Sequence, residues 1–244
     1  YGTNISPRSK GALMNELDIT TFALDDLSKC FGDDFAVYDG RKVSRQPNTD
    51  LQVISRVISV NGKRGDFSKP SKIHAEYDVP VDAWYYEQNS ATTMPYSILM
   101  EIALQPCGLL GAYLGSTLQF SDKNLYFRNL DGNGEMFDLP AGTDFRGKTI
   151  TNHAVLTSSV ALGGTILQNY TFECSIDGHV FYKGRKKKMV DQSVLVKAAL
   201  KAIIRATDNP YLHNAEEVAK ELRKSHGWQV SAISTISRQD LAPY

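Results

Sequence analysis

The stretch Tyr96–Gly115, YSILMEIALQPCGLLGAYLG, is apolar on nearly every face of a helix. A helix with a single apolar stripe rests on a core, whereas one that is apolar all round is enclosed by the rest of its domain. Pro95 stands where a first helical turn tolerates a missing N–H. Pro106, inside the run, is expected to kink the helix or to free a backbone carbonyl. With Glu101, Gln105 and Pro106 in it, the run is too short and too polar to span a bilayer, and no membrane span is expected. Whatever surrounds this helix must bury it from several sides.

The flanking sequence supplies strands for that purpose. Leu51–Val60 is rich in β-branched residues, Asn61-Gly62 begins a turn, and Ile73–Val79 reads as a second strand. Pro80 and Asp82 open a loop through Trp84, Tyr85 and Tyr86. Beyond Gly115, strands are expected over Leu125–Leu130, Lys148–Ala161, Thr165–Ile176 and Val180–Lys183. Turns are expected at Asp131-Gly-Asn-Gly134, Gly163-Gly164 and Asp177-Gly178 between them. The class is α+β: an antiparallel sheet wrapped around a long central helix, although periodicity alone leaves other α+β folds open. Residues 1–20 read as an irregular lead-in, 21–190 as the domain and 191–244 as a helical tail. Within this plan Thr21–Phe31 is a short helix stopped by Gly32, and Phe35–Asp50 is irregular. The tail holds helix candidates at Val190–Ala206 and Ala215–Ser225, broken at Asp208-Asn-Pro210, with Asn214 as an N-cap.

Charge narrows the choice of partners. Lys plus Arg and Asp plus Glu both number 27, so no global field draws the chain to nucleic acid or to an anionic membrane. A basic run, Lys183-Gly-Arg-Lys-Lys-Lys188, reads as a solvated strand edge or as a docking surface for an acidic partner. Cys30, Cys107 and Cys174 are too few and too scattered for a disulfide framework or a zinc site, and fit a reducing, cytoplasmic setting. No two of His74, His153, His179, His213 and His226 share metal-ligand spacing, so no metal is expected.

The chemistry concentrates on the apolar helix. Glu101 and Gln105 lie four apart and share one face, which Gly108 and Ala112 continue as a track of small side chains. A carboxylate buried there is costly unless it is hydrogen-bonded, or its pKa rises. The track invites the close approach of an acyl chain or of a neighbouring backbone.

Asp78-Val-Pro-Val-Asp-Ala-Trp84, followed by Met94-Pro-Tyr-Ser-Ile-Leu-Met-Glu-Ile-Ala-Leu-Gln-Pro-Cys-Gly108, resembles the dehydratase region of polyunsaturated fatty acid synthases. It is similar also to bacterial β-hydroxydecanoyl-carrier-protein dehydratase. The resemblance runs from about Leu51 to Lys188. It implies a hot-dog fold, with Glu101 as the catalytic acid and Gln105 as the polar helix residue that follows it. It further implies a substrate channel at Trp84, Tyr86, Asn89, Met94, Pro95, Tyr96 and Gly108. The substrate would arrive on the phosphopantetheine arm of an acyl carrier protein, with no cofactor of the chain's own.

The family's second catalytic residue is a His on the loop before the helix. Between Trp84 and Met94 this chain reads Tyr-Tyr-Glu-Gln-Asn-Ser-Ala-Thr-Thr, without a His. Glu87 or Asn89 stands at about that position, and an Asn cannot act as a base. The expectation is therefore half of an active site, completed by a second hot-dog unit in a homodimer or pseudo-dimer. A hot-dog thioesterase and a non-catalytic acyl-binding scaffold are the alternatives.

Overall fold

The computed structural model describes residues 10–192, apart from 42, 90–92, 124, 138, 140–142 and 163. Two short helices, α1 (Glu16–Leu24) and α2 (Leu27–Phe31), and a 3-10 turn at Asp33–Tyr38 come first. Strands β1 (Arg56–Asn61) and β2 (Ser71–Asp78), a short helix α3 (Trp84–Glu87) and the long helix α4 (Tyr96–Tyr113) follow. Strands β3 (Leu125–Met136), β4 (Thr149–Leu162), β5 (Thr165–Ile176) and β6 (His179–Gln192) complete the domain. The six strands form one sheet in the order β1-β2-β4-β5-β6-β3, and β1/β2, β2/β4, β4/β5 and β5/β6 pair antiparallel. Helix α4 packs on β2, β4 and β5. This is the hot-dog arrangement that the resemblance implies.

Alternation along the strands decides which side faces α4. In β2, Ser71, Ile73, Ala75 and Tyr77 are buried, while Lys72, His74, Glu76 and Asp78 are less so. On β5 the inward set is Ile166, Gln168, Tyr170, Phe172 and Cys174. Register shifts within β1, β4 and β6 break the regular ladder, and such bulges bend a sheet. Asp177 and Gly178, with φ of 49° and 80°, make the two-residue β5–β6 hairpin that Asp-Gly announces.

The far side of α4 is covered by the chain's own N-terminal segment. Phe22, Phe31, Phe35, Tyr38, Val53 and Ile54 share one core cluster with the helix. The Phe31 ring meets Tyr113 edge-on at 6.2 Å, and the Arg64 guanidinium lies over Phe35 at 5.0 Å. Enclosure on both sides accounts for a helix without a polar face.

Pro106 does not break α4. Having no N–H, it cannot donate to the carbonyl of Ile102, four residues earlier. Asn152 of β4 supplies that donor, its Nδ2 lying 3.0 Å from the Ile102 carbonyl and 3.1 Å from that of Ala103. At the sheet's other end Arg56 is fully buried, with Nε donating to Glu76 at 2.7 Å and both terminal nitrogens donating to Asp78. Breaking one arm of such a buried pair leaves an uncompensated charge.

Several sequence expectations need correction. Helix α1 begins at Glu16, inside the stretch read as a lead-in, because Asn15 caps the Leu17 and Asp18 amides while the Asp18 carboxylate accepts from the Asn15 N–H. The helix expected at Thr21–Phe31 is two helices separated at Asp25 and Asp26. The first strand starts at Arg56 rather than Leu51. Asp131-Gly-Asn-Gly134 is not a turn: β3 runs through it to Met136. A Cβ on Gly134 would stand 2.4 Å from the Tyr182 ring, and one on Gly184 of β6 2.2 Å from the Asn133 carbonyl. These glycines permit close approach within the sheet.

Strand β6 continues to Gln192, so Val190, Asp191 and Gln192 end a strand where a helix was expected to start. The basic run consequently lies in a strand between β5 and β3, not at the sheet edge. The rest of the expected helical tail, with Asn214, His213 and His226, lies outside the described residues.

Candidate active site

Glu101 is half-buried on α4, and Gln105, one turn later on the same face, is buried. Two backbone groups fix the Gln105 carboxamide. The Val53 N–H donates to its Oε1 at 3.1 Å, and its Nε2 donates to the Leu51 carbonyl at 2.8 Å. Gln46 adds a second donor to Oε1, at 2.8 Å. Since the oxygen end faces backbone and side-chain donors, the Nε2 end is the one presented to Glu101, whose Oε2 accepts from it at 3.2 Å. The Glu101 carboxylate thus receives a hydrogen bond aimed by the segment 46–53, which belongs to a distant part of the sequence.

That segment answers the question posed by the small-residue track. At Gln105 it is the chain's own backbone that comes close. Further on, Ala112 lines an apolar cavity of about 20 Å³ with Phe22, Phe35 and Tyr38. Gly108, between the two, is half-buried.

The residues expected along the channel divide into two groups. Trp84 donates its indole N–H to the Asp50 carbonyl at 3.1 Å, and the buried Tyr86 hydroxyl accepts from the Phe145 N–H at 3.1 Å. The Arg146 guanidinium covers the Tyr86 ring at 5.0 Å. Both aromatics therefore hold the loop to the domain. Asn89 donates to the Thr93 carbonyl at 3.0 Å, spanning residues 90–92, which lie outside the described set.

Met94 is buried, and Pro95 is the N-cap of α4 without a side-chain cap. Tyr96, half exposed, places its hydroxyl 3.1 Å from that of Tyr182 on β6. Tyr96 and Glu101 are five positions apart, about 140° around the helix, so the structure does not bring Tyr96 onto the Glu101 face.

Burial also shifts the Tyr182 and Tyr86 hydroxyls. Desolvation first, then the Tyr96 hydroxyl, pushes the Tyr182 phenol upward, and desolvation does the same to Tyr86. Both remain neutral hydroxyls near pH 7.

Gln46, Asn152 and Tyr182 carry no signal in the sequence alone. Each acts through a contact between distant segments, and no local pattern marks it. Among the described residues no three His, Cys, Asp or Glu side chains stand together in a way that holds a metal ion, and no helix is long and apolar enough to cross a membrane.

No family model matches the sequence. Over 175 residues the chain is 39% identical to a polyunsaturated fatty acid synthase polypeptide of Thraustochytrium sp., a match covering 68% of this chain and 12% of that protein. The chain thus corresponds to a small part of its much longer relative. Among solved structures, the dehydratase heterocomplex ApeI:P of Xenorhabdus doucetiae overlaps 59% of this chain and 85% of its own, at 16% identity and a TM-score of 0.42. Zebra fish thioesterase superfamily member 2 overlaps 68% of this chain and 99% of its own, at 16% identity and a TM-score of 0.39.

Proposed function

This chain is a hot-dog-fold relative of one segment of a polyunsaturated fatty acid synthase, and from that relationship we propose that it supplies the carboxylate half of a dehydratase site for β-hydroxyacyl thioesters. The observation that carries the reading is Glu101, a carboxylate set in a buried helix and oriented by Gln105. Dehydration needs a base for the α-proton and an acid for the departing hydroxyl. In its acid form Glu101 serves the hydroxyl, giving it a proton as the carbon–oxygen bond breaks so that water leaves, while the α-proton passes to the base. The base is a His from a second hot-dog unit, since Tyr85–Thr93 contains none. An acyl carrier protein delivers the thioester on its phosphopantetheine arm to the start of α4, around Met94–Ser97. The uncapped amides there are suited to polarise a thioester carbonyl.

The loop without a His also favours a second reading, thioester hydrolysis by a helix carboxylate and water. Product analysis separates the two. A short β-hydroxyacyl thioester is incubated with the chain and with Glu101→Ala, and enoyl product and free thiol are followed separately. The half-site reading expects neither product from the isolated, folded chain. Free thiol that disappears in Glu101→Ala would establish hydrolysis, and enoyl product that disappears there would show a site complete without His.

A further inference from the structure

Gln46 is a buried polar residue that precedes Gln105 by 59 positions, and its Nε2 donates to the Gln105 Oε1 at 2.8 Å. Backbone groups decide which way round both carboxamides stand. The Val53 N–H can only donate, so the Gln105 atom that it meets at 3.1 Å is Oε1. The Leu51 carbonyl can only accept, so the atom 2.8 Å from it is Nε2. With the Gln105 oxygen so fixed, Gln46 must present its own nitrogen end.

The clamp has a consequence for the proton on Glu101. Gln105 Nε2 gives one hydrogen to the Leu51 carbonyl and turns the other to Glu101 Oε2, at 3.2 Å. A carboxyl group in its acid form has one O–H and one oxygen that accepts. The oxygen facing an N–H is the accepting one, which puts the acid proton on Oε1, the oxygen that Gln105 does not engage. A reversed carboxamide would turn an acceptor toward Glu101 and draw that proton into the protein. Reversal would also set Nε2 against two donors, the Val53 N–H and Gln46, and Oε1 against the Leu51 carbonyl.

We propose that Gln46 is a positioning residue of the site: acting through Gln105, it keeps the Glu101 proton on Oε1, from where it passes to the departing hydroxyl. This role rests on the dehydratase reading of Glu101. As the carbon–oxygen bond breaks, the proton leaves Oε1, water departs, and Glu101 is left as a carboxylate. The N–H already directed at Oε2 meets the new charge, so no protein dipole has to turn during the step. Gln46 is the one side chain in the clamp, the other two contacts being backbone, and substitution can therefore remove it alone.

The test compares the wild-type chain with Gln46→Met, which has a similar shape and no donor. Solvent exchange of the Gln105 side-chain amide protons, followed by NMR on the nitrogen-labelled chain, should be about five- to tenfold faster in Gln46→Met. Mixed with a hot-dog unit that carries the loop His, Gln46→Met should lower kcat for enoyl formation by about the same factor and leave KM unchanged. A folded Gln46→Met chain with wild-type amide exchange overturns the clamp, whatever the activity. Faster exchange with an unchanged kcat overturns the positioning role and leaves Gln46 as packing. A wild-type mixture that forms no enoyl product removes the dehydratase reading and the role built on it, while amide exchange still decides whether Gln46 holds Gln105.

Discussion

At the scale of single residues, the domain rests on a few side chains that compensate for a local defect in the backbone. Asn152 is one of these, because it replaces the donor that Pro106 lacks. Replacing Asn152 with Leu leaves the Ile102 and Ala103 carbonyls without that donor inside the core. A destabilisation of about 1–3 kcal/mol is expected, measured by urea unfolding.

Cys30 gives a pH-dependent effect of known sign. Burial, reinforced by the Asp18 charge, pushes its thiol from 9.0 up to about 12. The unfolded chain therefore loses this proton at a lower pH than the folded chain. The contribution is fully present below about pH 9 and is lost as pH rises from there toward 12. Stability measured across that alkaline window should decline less steeply in Cys30→Ala than in the wild type. An identical slope would show that Cys30 is not part of it.

At the scale of elements, the glycines of β3 and β6 carry a clear asymmetry. A Cβ on Gly184 would meet the Asn133 carbonyl at 2.2 Å, whereas a Cβ on Gly132 finds its nearest neighbour at an ordinary 3.8 Å. Gly184→Ala is expected to cost about 1–3 kcal/mol or more through overpacking, and Gly132→Ala far less. Thermal unfolding of the two variants side by side checks this difference.

The same glycines show where the sequence is legible. Helix α4 can be read because a run that is apolar on all sides has one structural meaning, and Asp177-Gly178 because a two-residue hairpin demands positive φ at both positions. Asp131-Gly-Asn-Gly134 misleads because turns and close strand approach call for the same residue. The start of α1 is locally encoded in the Asn15–Asp18 capping box, ahead of the buried Phe22 and Ala23 that make the helix visible.

The candidate site divides in the same way. That Glu101 and Gln105 share one face follows from helical spacing, whereas their roles come from the resemblance. The partners of Gln105, namely Gln46, Leu51 and Val53, come from another segment, and their pairing depends on the tertiary fold.

At the scale of the whole domain, α4 is enclosed between the sheet and the N-terminal segment, and the two edges of the sheet differ. Beside β1, Met14 bridges to Val57. At the other end β3 is the last strand of the described sheet, with Leu130 and Met136 exposed on it. An edge of this kind is available for pairing with another chain, such as the second hot-dog unit that the half-site reading proposes.

Complementation between units is the most direct test of that reading. Dehydration of a short β-hydroxyacyl thioester is measured with this chain, with a hot-dog unit that carries a His in the corresponding loop, and with both together. Enoyl product is expected when both are present, and Glu101→Gln in this chain should lower the rate about 10²–10⁴-fold. Enoyl formation by the His-bearing unit that is the same without this chain, or unchanged by Glu101→Gln, would contradict a shared site.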